Sequence, residues 1–235
     1  MHVYQPSAFI LLTLHPRCFL SRQLRIVKKI KVSEWKRKEH FENFIMFDDP
    51  FFNICADVEV TNLKFHCQQQ QGSFFIHSYH TILRAVNSIE EFKTRIRGEE
   101  VVLHDTIHGS CTIMRDDSTF GYGYFQYVED LKAFEAHANE AIAYVKEGKK
   151  LETRFDRDDL IHSSVIPWAS FRSIEHAKRL NKGDCIPKIV TGRTYEQNGK
   201  VMMPVSVSGH HALMDGWHAG RFFQEYEQLC RSFSA

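Results

Sequence analysis

Apolar positions recur along this chain at two periods, one near 3.6 residues and one near 2, and the switches between them predict its elements. Arg22 to Lys31 carries five basic residues around Leu24, Ile26, Val27 and Ile30 and reads as a first strand, with its charge on a solvated face. Ser33 predicts the cap of a helix from Glu34 to about Ile45, with Trp35, Phe41 and Phe44 turned inward. Residues 54–63 read as extended, and Cys67 to Gly72, with its four glutamines, as a loop. Phe75, Tyr79, Ile82, Leu83 and Val86 follow Ser73 at helical spacing. Ser88-Ile89-Glu90-Glu91 then looks like a capping box opening a second helix that Gly98 ends.

Alternating patterns predict strands at 100–107, 110–115 and 119–127. Leu131, Phe134, Ala138, Ile142 and Val145 mark an amphipathic helix stopped by Gly148. A charged link, Lys149 to Asp159, leads to a serine-rich segment, Ile161 to Ser173, built around Pro167-Trp168. Strands near 188–196 and 200–208 flank Asn198-Gly199, the strongest short hairpin signal in the chain. A last helix, Gly220 to Phe233, stripes Phe222, Phe223, Tyr226, Leu229, Cys230 and Phe233 along one face. Helices and strands mix without βαβ regularity, and the hairpin makes the sheet at least partly antiparallel. The expected fold is α+β, a two-layer sandwich of a mixed or antiparallel sheet with helices packed on it. There is no internal repeat. Residues 25–235 are read as one domain and residues 1–24 as a poorly ordered N-terminal extension, since Ala8 to Leu14 has a short apolar core but neither a basic flank before it nor a cleavage site after it.

Composition narrows the partners more than the fold. A net charge of +1 gives no electrostatic case for nucleic acid or a membrane surface, and no run reaches the length of a transmembrane helix. Six scattered cysteines read as free thiols in a reducing compartment, hence a cytoplasmic protein. The 19 phenylalanines suit a core or an aromatic pocket for a small molecule.

The candidate chemistry sits where a strand pattern runs into the last helix, at Ser208-Gly209-His210-His211-Ala212-Leu213-Met214-Asp215-Gly216-Trp217-His218. Four readings compete on the residues alone. An imidazole near pKa 6.5 could take a proton from an alcohol or thiol, with the carboxylate orienting the loop. One histidine of the pair, Asp215 and His218 could hold a metal, although adjacent histidines rarely point the same way and no HExxH or cysteine pair supports it. A Ser-His-Asp hydrolase lacks its GxSxG elbow. Or two histidines merely end a strand and an aspartate caps a helix.

This junction resembles the HHxxxDG signature of chloramphenicol acetyltransferases, shared more loosely by the catalytic domains of dihydrolipoyl acyltransferases. Ser33-Glu-Trp-Lys-Arg-Lys-Glu-His-Phe-Glu-Asn-Phe44 is similar to that family's opening helix, written SxWxRKEHF. Ile166-Pro-Trp-Ala-Ser-Phe171 resembles its PWxSF segment, and the hairpin from Thr191 to Pro204 fits as well. The likeness covers roughly residues 25–233 in order. It implies His211 as the general base that deprotonates an acceptor hydroxyl for attack on the acetyl-CoA thioester, its tautomer held by its own backbone carbonyl. It also implies Asp215 ion-paired with Arg37, Ser164 as donor to the oxyanion, and His210 as a packed neighbour. Trp168 and Arg193 become CoA contacts, and Phe120 and Phe44 candidate walls of the acceptor pocket. By the same resemblance the protein is a homotrimer with its active site at the subunit interface, and it needs no metal.

Departures from the pattern bear on the acceptor. Ser208-Gly209 stands where the family carries Gln-Ile or Gln-Val, and Trp217 where it carries Phe or Tyr. Val190 replaces a frequent threonine that helps hold an oxyanion water, and Ile174-Glu-His-Ala-Lys178 is more polar than the family's antibiotic-contacting stretch. The expectation is O-acetylation of chloramphenicol, with another hydroxyl acceptor or an inactive drug-binding protein as alternatives.

Overall fold

Period-two patterning over the second half of the chain gathers most of its strands into one sheet. The structure is a computed structural model that describes residues 27–148, 150–179 and 183–234, so the expected extension over 1–24 lies outside the described residues. The elements run β1 (Val27–Ile30), α1 (Lys38–Phe44), β2 (Phe51–Glu59), α2 (Thr61–Gln69), α3 (Phe74–Asn87), β3 (Thr94–Arg97), β4 (Glu100–His104), β5 (His108–Met114) and β6 (Phe120–Phe125). They continue through α4 (Leu131–Glu147), β7 (Leu160–Ile166), β8 (Lys188–Gly192), β9 (Tyr195–Gln197), β10 (Lys200–His210) and α5 (Gly216–Arg231). The main sheet has the order β2-β10-β8-β7-β5-β6, with β9 beside β10. Its β5–β7 and β7–β8 pairs are parallel and its other pairs antiparallel, so the sheet is mixed, as the patterning required. A small sheet, β1-β4-β3, stands apart.

The two faces of the main sheet differ in kind. Ile189, Val205 and Val207 join Tyr79, Leu83, Phe134, Phe222 and Tyr226 of the helices in one buried cluster. Their alternates point the other way. On that opposite face Ser164 is in register with Val190, and Val190 with Ser206, followed along β10 by buried Ser208 and His210. One face is thus an apolar core under helices, and the other is lined by serines and histidines.

Four local expectations are corrected. Ser33 caps no helix: residues 32–34 form a single 3-10 turn, Trp35 is extended, and α1 begins only after Arg37. That break turns Arg37 inward, to Asp215, and lets the exposed Lys36 reach Glu91. Residues 61–69 are helix, not strand and loop, because Leu63 and Cys67 bury one turn apart and the glutamines solvate the outer side. The box at Ser88 opens only a 3-10 turn over 90–93, after which β3 begins. There Arg95, fully buried, donates to the carbonyls of Phe92, Thr94, Asp158 and Leu160 and ties β3 to the start of β7, while Gly98 (φ +62°) turns the β3–β4 hairpin. Finally, α5 starts at Gly216, four residues before the expected Gly220.

Candidate active site

The junction is built as a turn held at both ends. After β10 the His211 amide donates to the Pro50 carbonyl at 2.8 Å, and the His210 carbonyl accepts from the amides of Leu213 and Met214 at 2.9 and 3.1 Å. Ala212 and Leu213 are buried beneath it, in a second cluster with Phe41, Val101 and Cys185 that joins the small sheet to α1. Gly209 has a structural cause as well: a Cβ there would lie 2.4 Å from Met214 Sδ. The Met214 thioether thus fills the space beside the backbone at 209.

His211 is half-buried, stacked on Phe44 (3.8 Å between centroids, 11° between planes) with Phe52 edge-on at 5.3 Å. Its Nδ1 is buried and has no hydrogen-bond partner among the described residues, which leaves Nε2 as the ring nitrogen facing outward. The bond from Nδ1 to its own carbonyl, implied by the resemblance, is not formed; that carbonyl accepts instead from Arg37 Nη2 at 3.4 Å. His210 differs in every respect. It is 5% exposed, its Nδ1 accepts the Ala212 amide at 3.3 Å, and burial pushes it down to about 4.

Asp215 does two things at once. As the cap of α5 it accepts the Trp217 amide at 3.0 Å, and its other oxygen takes Arg37 Nη1 at 2.7 Å, across 178 residues of sequence. Burial alone would raise its carboxyl, but the Arg37 hydrogen bond, His218 and the Trp217 amide hold it below the usual carboxylate range. Arg37 is 6% exposed.

The other predicted residues lie elsewhere in the chain. Ser164, on β7, accepts from Thr112 Oγ1 of β5 at 3.1 Å, a partner the sequence reading missed because nothing local marks it. From Ser164 through Val190 to Ser206 is two strand spacings, and from Ser206 to His211 five residues of rise. The Cα atoms of Ser164 and His211 are therefore roughly 19 Å apart. No side chain of either residue spans that gap. Arg193 lines a groove of about 280 Å³ at the ends of β7 and β8, with Lys64, Phe74, Tyr79, Val165 and Pro167 also in its wall. Trp168 follows Pro167 outward, 65% exposed, and is not part of that wall. Phe120 begins β6, at the edge of the main sheet away from β10, edge-on to Tyr122. The structure thus groups His211, Phe44, Asp215 and Arg37, and leaves Ser164, which is not in the wall of the groove, and Phe120 apart. No cluster of metal-ligating side chains occurs among the described residues.

The profile of the chloramphenicol acetyltransferase family matches residues 26–227. The chain belongs to that family. It is an acyltransferase by that membership. Chloramphenicol acetyltransferases of a Klebsiella species and of Proteus mirabilis are 27% and 28% identical to it over 202 residues, covering 86% of this chain and 92% and 93% of theirs. A solved chloramphenicol acetyltransferase is 28% identical and superposes with a TM-score of 0.82 over 87% of this chain and all of that one. A probable dihydrolipoamide acetyltransferase from Listeria monocytogenes, 15% identical over 83% of this chain and 90% of its own, shares the fold at a TM-score of 0.60. In this chain the HHxxxDG turn carries His211 and the Asp215 that pairs with the distant Arg37.

Proposed function

We propose that this chain transfers an acetyl group from acetyl-CoA to a hydroxyl of chloramphenicol, directly and without an acetyl-enzyme. The observation that carries the reading is the built HHxxxDG turn: His211 packed between two aromatic rings with Nε2 outward, beside the ion pair of buried Arg37 with half-buried Asp215. The imidazole takes the proton of the acceptor hydroxyl as its oxygen attacks the thioester carbonyl. The Ser164 hydroxyl donates to the oxyanion of the tetrahedral intermediate. Collapse expels the CoA thiolate, which recovers the proton from the imidazolium. No step needs a metal.

Acetyl-CoA fits the groove at the ends of β7 and β8. Its walls are largely apolar, suiting the pantetheine arm, and Lys64 and Arg193 supply cations for phosphates. Trp168 is available at its lip. Because Ser164 and His211 of one chain are too far apart to share an acceptor, the functional unit is a symmetric homo-oligomer, a trimer by family resemblance. In it, His211 and Phe44 of one chain meet Ser164 and Phe120 of the next. Residues 25–235 act as the acyltransferase domain, in the cytoplasm; among the described residues no helix is long and apolar enough to cross a membrane.

One observation favours a different hydroxyl acceptor. The segment that should present apolar contacts to the drug is polar, with the Ile174 carbonyl accepting from Asn53 Nδ2 at 2.6 Å and Lys178 paired with Asp49. Purified protein with acetyl-CoA, chloramphenicol and a thiol reagent separates the readings. Drug-dependent thiol release is expected, and His211→Ala should abolish it, by at least ~10³-fold, with acetyl-CoA binding intact. Release without chloramphenicol but with another alcohol would move the acceptor; tight drug binding with no release would leave an inactive binder. Near-normal kcat in His211→Ala would sink the mechanism.

A further inference from the structure

Glu91 is a buried carboxylate for which the reaction above has no role. It is 5% exposed in the 3-10 turn before β3, and it caps nothing there. Its Oε1 lies 3.2 Å from His218 Nε2 and 3.3 Å from Lys36 Nζ. Burial by itself would raise its carboxyl, but the hydrogen bond from His218 and the nearby Lys36 outweigh that and bring it down to about 2. His218, 6% exposed, sits in the first turn of α5 with Nδ1 3.1 Å from the Asp215 amide nitrogen, the capping-box contact, and 2.9 Å from Asp215 Oδ1.

An apolar side chain at 91 would bury more cheaply than a carboxylate. What the carboxylate adds is direction. By accepting from Nε2 it fixes that edge of the ring, so that Nδ1 is turned to Asp215, 3.1 Å from its amide nitrogen and 2.9 Å from its Oδ1. The ring is then locked in place, the first turn of α5 is locked with it, and Asp215 presents one oxygen to Trp217 and the other to Arg37. Arg37 in turn reaches the carbonyl of His211. An unbroken chain of polar contacts therefore runs from Glu91, before β3, to the backbone of the base, after β10.

We propose that Glu91, acting through His218, is a positioning residue that holds the Asp215–Arg37 pair against the His211 backbone and so sets the orientation of the catalytic imidazole. This rests on the reading of His211 as the base. Its function is orientation, so it should act on kcat and not on substrate affinity.

The test compares Glu91→Gln, which keeps the shape and removes the charge, with the unmodified enzyme, in the background of the natural residue at 215 and of Asp215→Asn. Glu91→Gln should lower kcat about 10-fold with both KM values within about twofold, and it should cost nothing further once Asp215→Asn is present. Nitrogen-15 spectra of histidine-labelled protein, with the His211 signals identified by their loss in His211→Ala, should show shifted and broadened His211 ring signals in Glu91→Gln relative to the unmodified protein, as its ring loses a single orientation. A folded Glu91→Gln with unchanged kcat and unchanged His211 signals overturns the proposal, as does a full additional loss in the Asp215→Asn background. If the unmodified protein does not turn over chloramphenicol, the functional reading fails by itself, and the nitrogen spectra still decide the positioning role. Should Glu91→Gln fail to fold, His218→Gln breaks the same chain one link later and is read by the same criteria.

Discussion

Two adjacent histidines with identical chemistry in sequence are made different by what surrounds each of them. His211 is half-buried between Phe44 and Phe52 with one nitrogen outward, whereas His210 is buried, pushed down to about 4 by that burial and so neutral at pH 7, with its Nδ1 already engaged by the Ala212 amide. His162, on the same polar face of the sheet, is likewise pushed down to about 4 by burial and then by Lys188. A histidine whose pKa is lower folded than unfolded leaves the unfolded state binding more protons between the two values, so stability is full above about 6.5 and falls as pH drops toward 4. His77, His80 and His176, also held down by burial, act in the same direction. Denaturant titrations should therefore show stability already declining between about pH 6.5 and 5, above the range in which most carboxylates titrate, by on the order of 2–3 kcal/mol for each of His162 and His210 across their full range. A flat profile across that interval would mean those imidazoles titrate alike in the folded and unfolded protein. Of these residue-scale facts, the sequence offered the His pair and its signature. The split of roles between 210 and 211 required the resemblance, and its physical cause is burial, which no local pattern reports.

Between elements, the decisive contact is the one from the residue before α1 to the cap of α5. Arg37 and Asp215 make one hydrogen-bonded ion pair, with Arg37 almost wholly buried, and removing one partner strands the other. Arg37→Ala should destabilise the protein by about 3–5 kcal/mol, read as a lower melting temperature and an earlier denaturant midpoint. Asp215→Ala should cost about 1 kcal/mol more, because it also removes the cap that binds the Trp217 amide. Equal melting of Arg37→Ala and the unmodified protein would take the pair out of the account. The strong amphipathic helices, α4 and most of α3 and α5, were legible from apolar spacing, as was the hairpin at Asn198-Gly199, where both residues take positive φ. What misled was local chemistry captured by distant partners. Glu91, read as part of a capping box, is turned to His218, and Arg95, read as mid-helix, is buried against carbonyls of the chain before and within β7. The helix α2 went unread because its buried face is only Leu63 and Cys67 within a run of polar residues.

For the whole molecule, the separation of Ser164 from His211 decides how many copies make a site. Chains carrying His211→Ala and chains carrying Ser164→Ala, each nearly inactive alone, should regain activity when unfolded and refolded together. In a trimer with three interfacial sites, a one-to-one mixture should reach roughly a quarter of the unmodified activity. No recovery would mean that both residues act within one chain, against the distance between them. The sequence by itself determined the family, the mixed α+β architecture and the residues at the HHxxxDG turn, because period, turn chemistry and a spaced motif are local properties of a chain. Only the tertiary structure decided that the sheet has one apolar and one polar face, that Glu91 touches His218 and Thr112 touches Ser164, and that His211 and Ser164 stand strands apart. Those depend on which strands become neighbours and which charges are buried together, and pairing and burial are set by the whole fold at once.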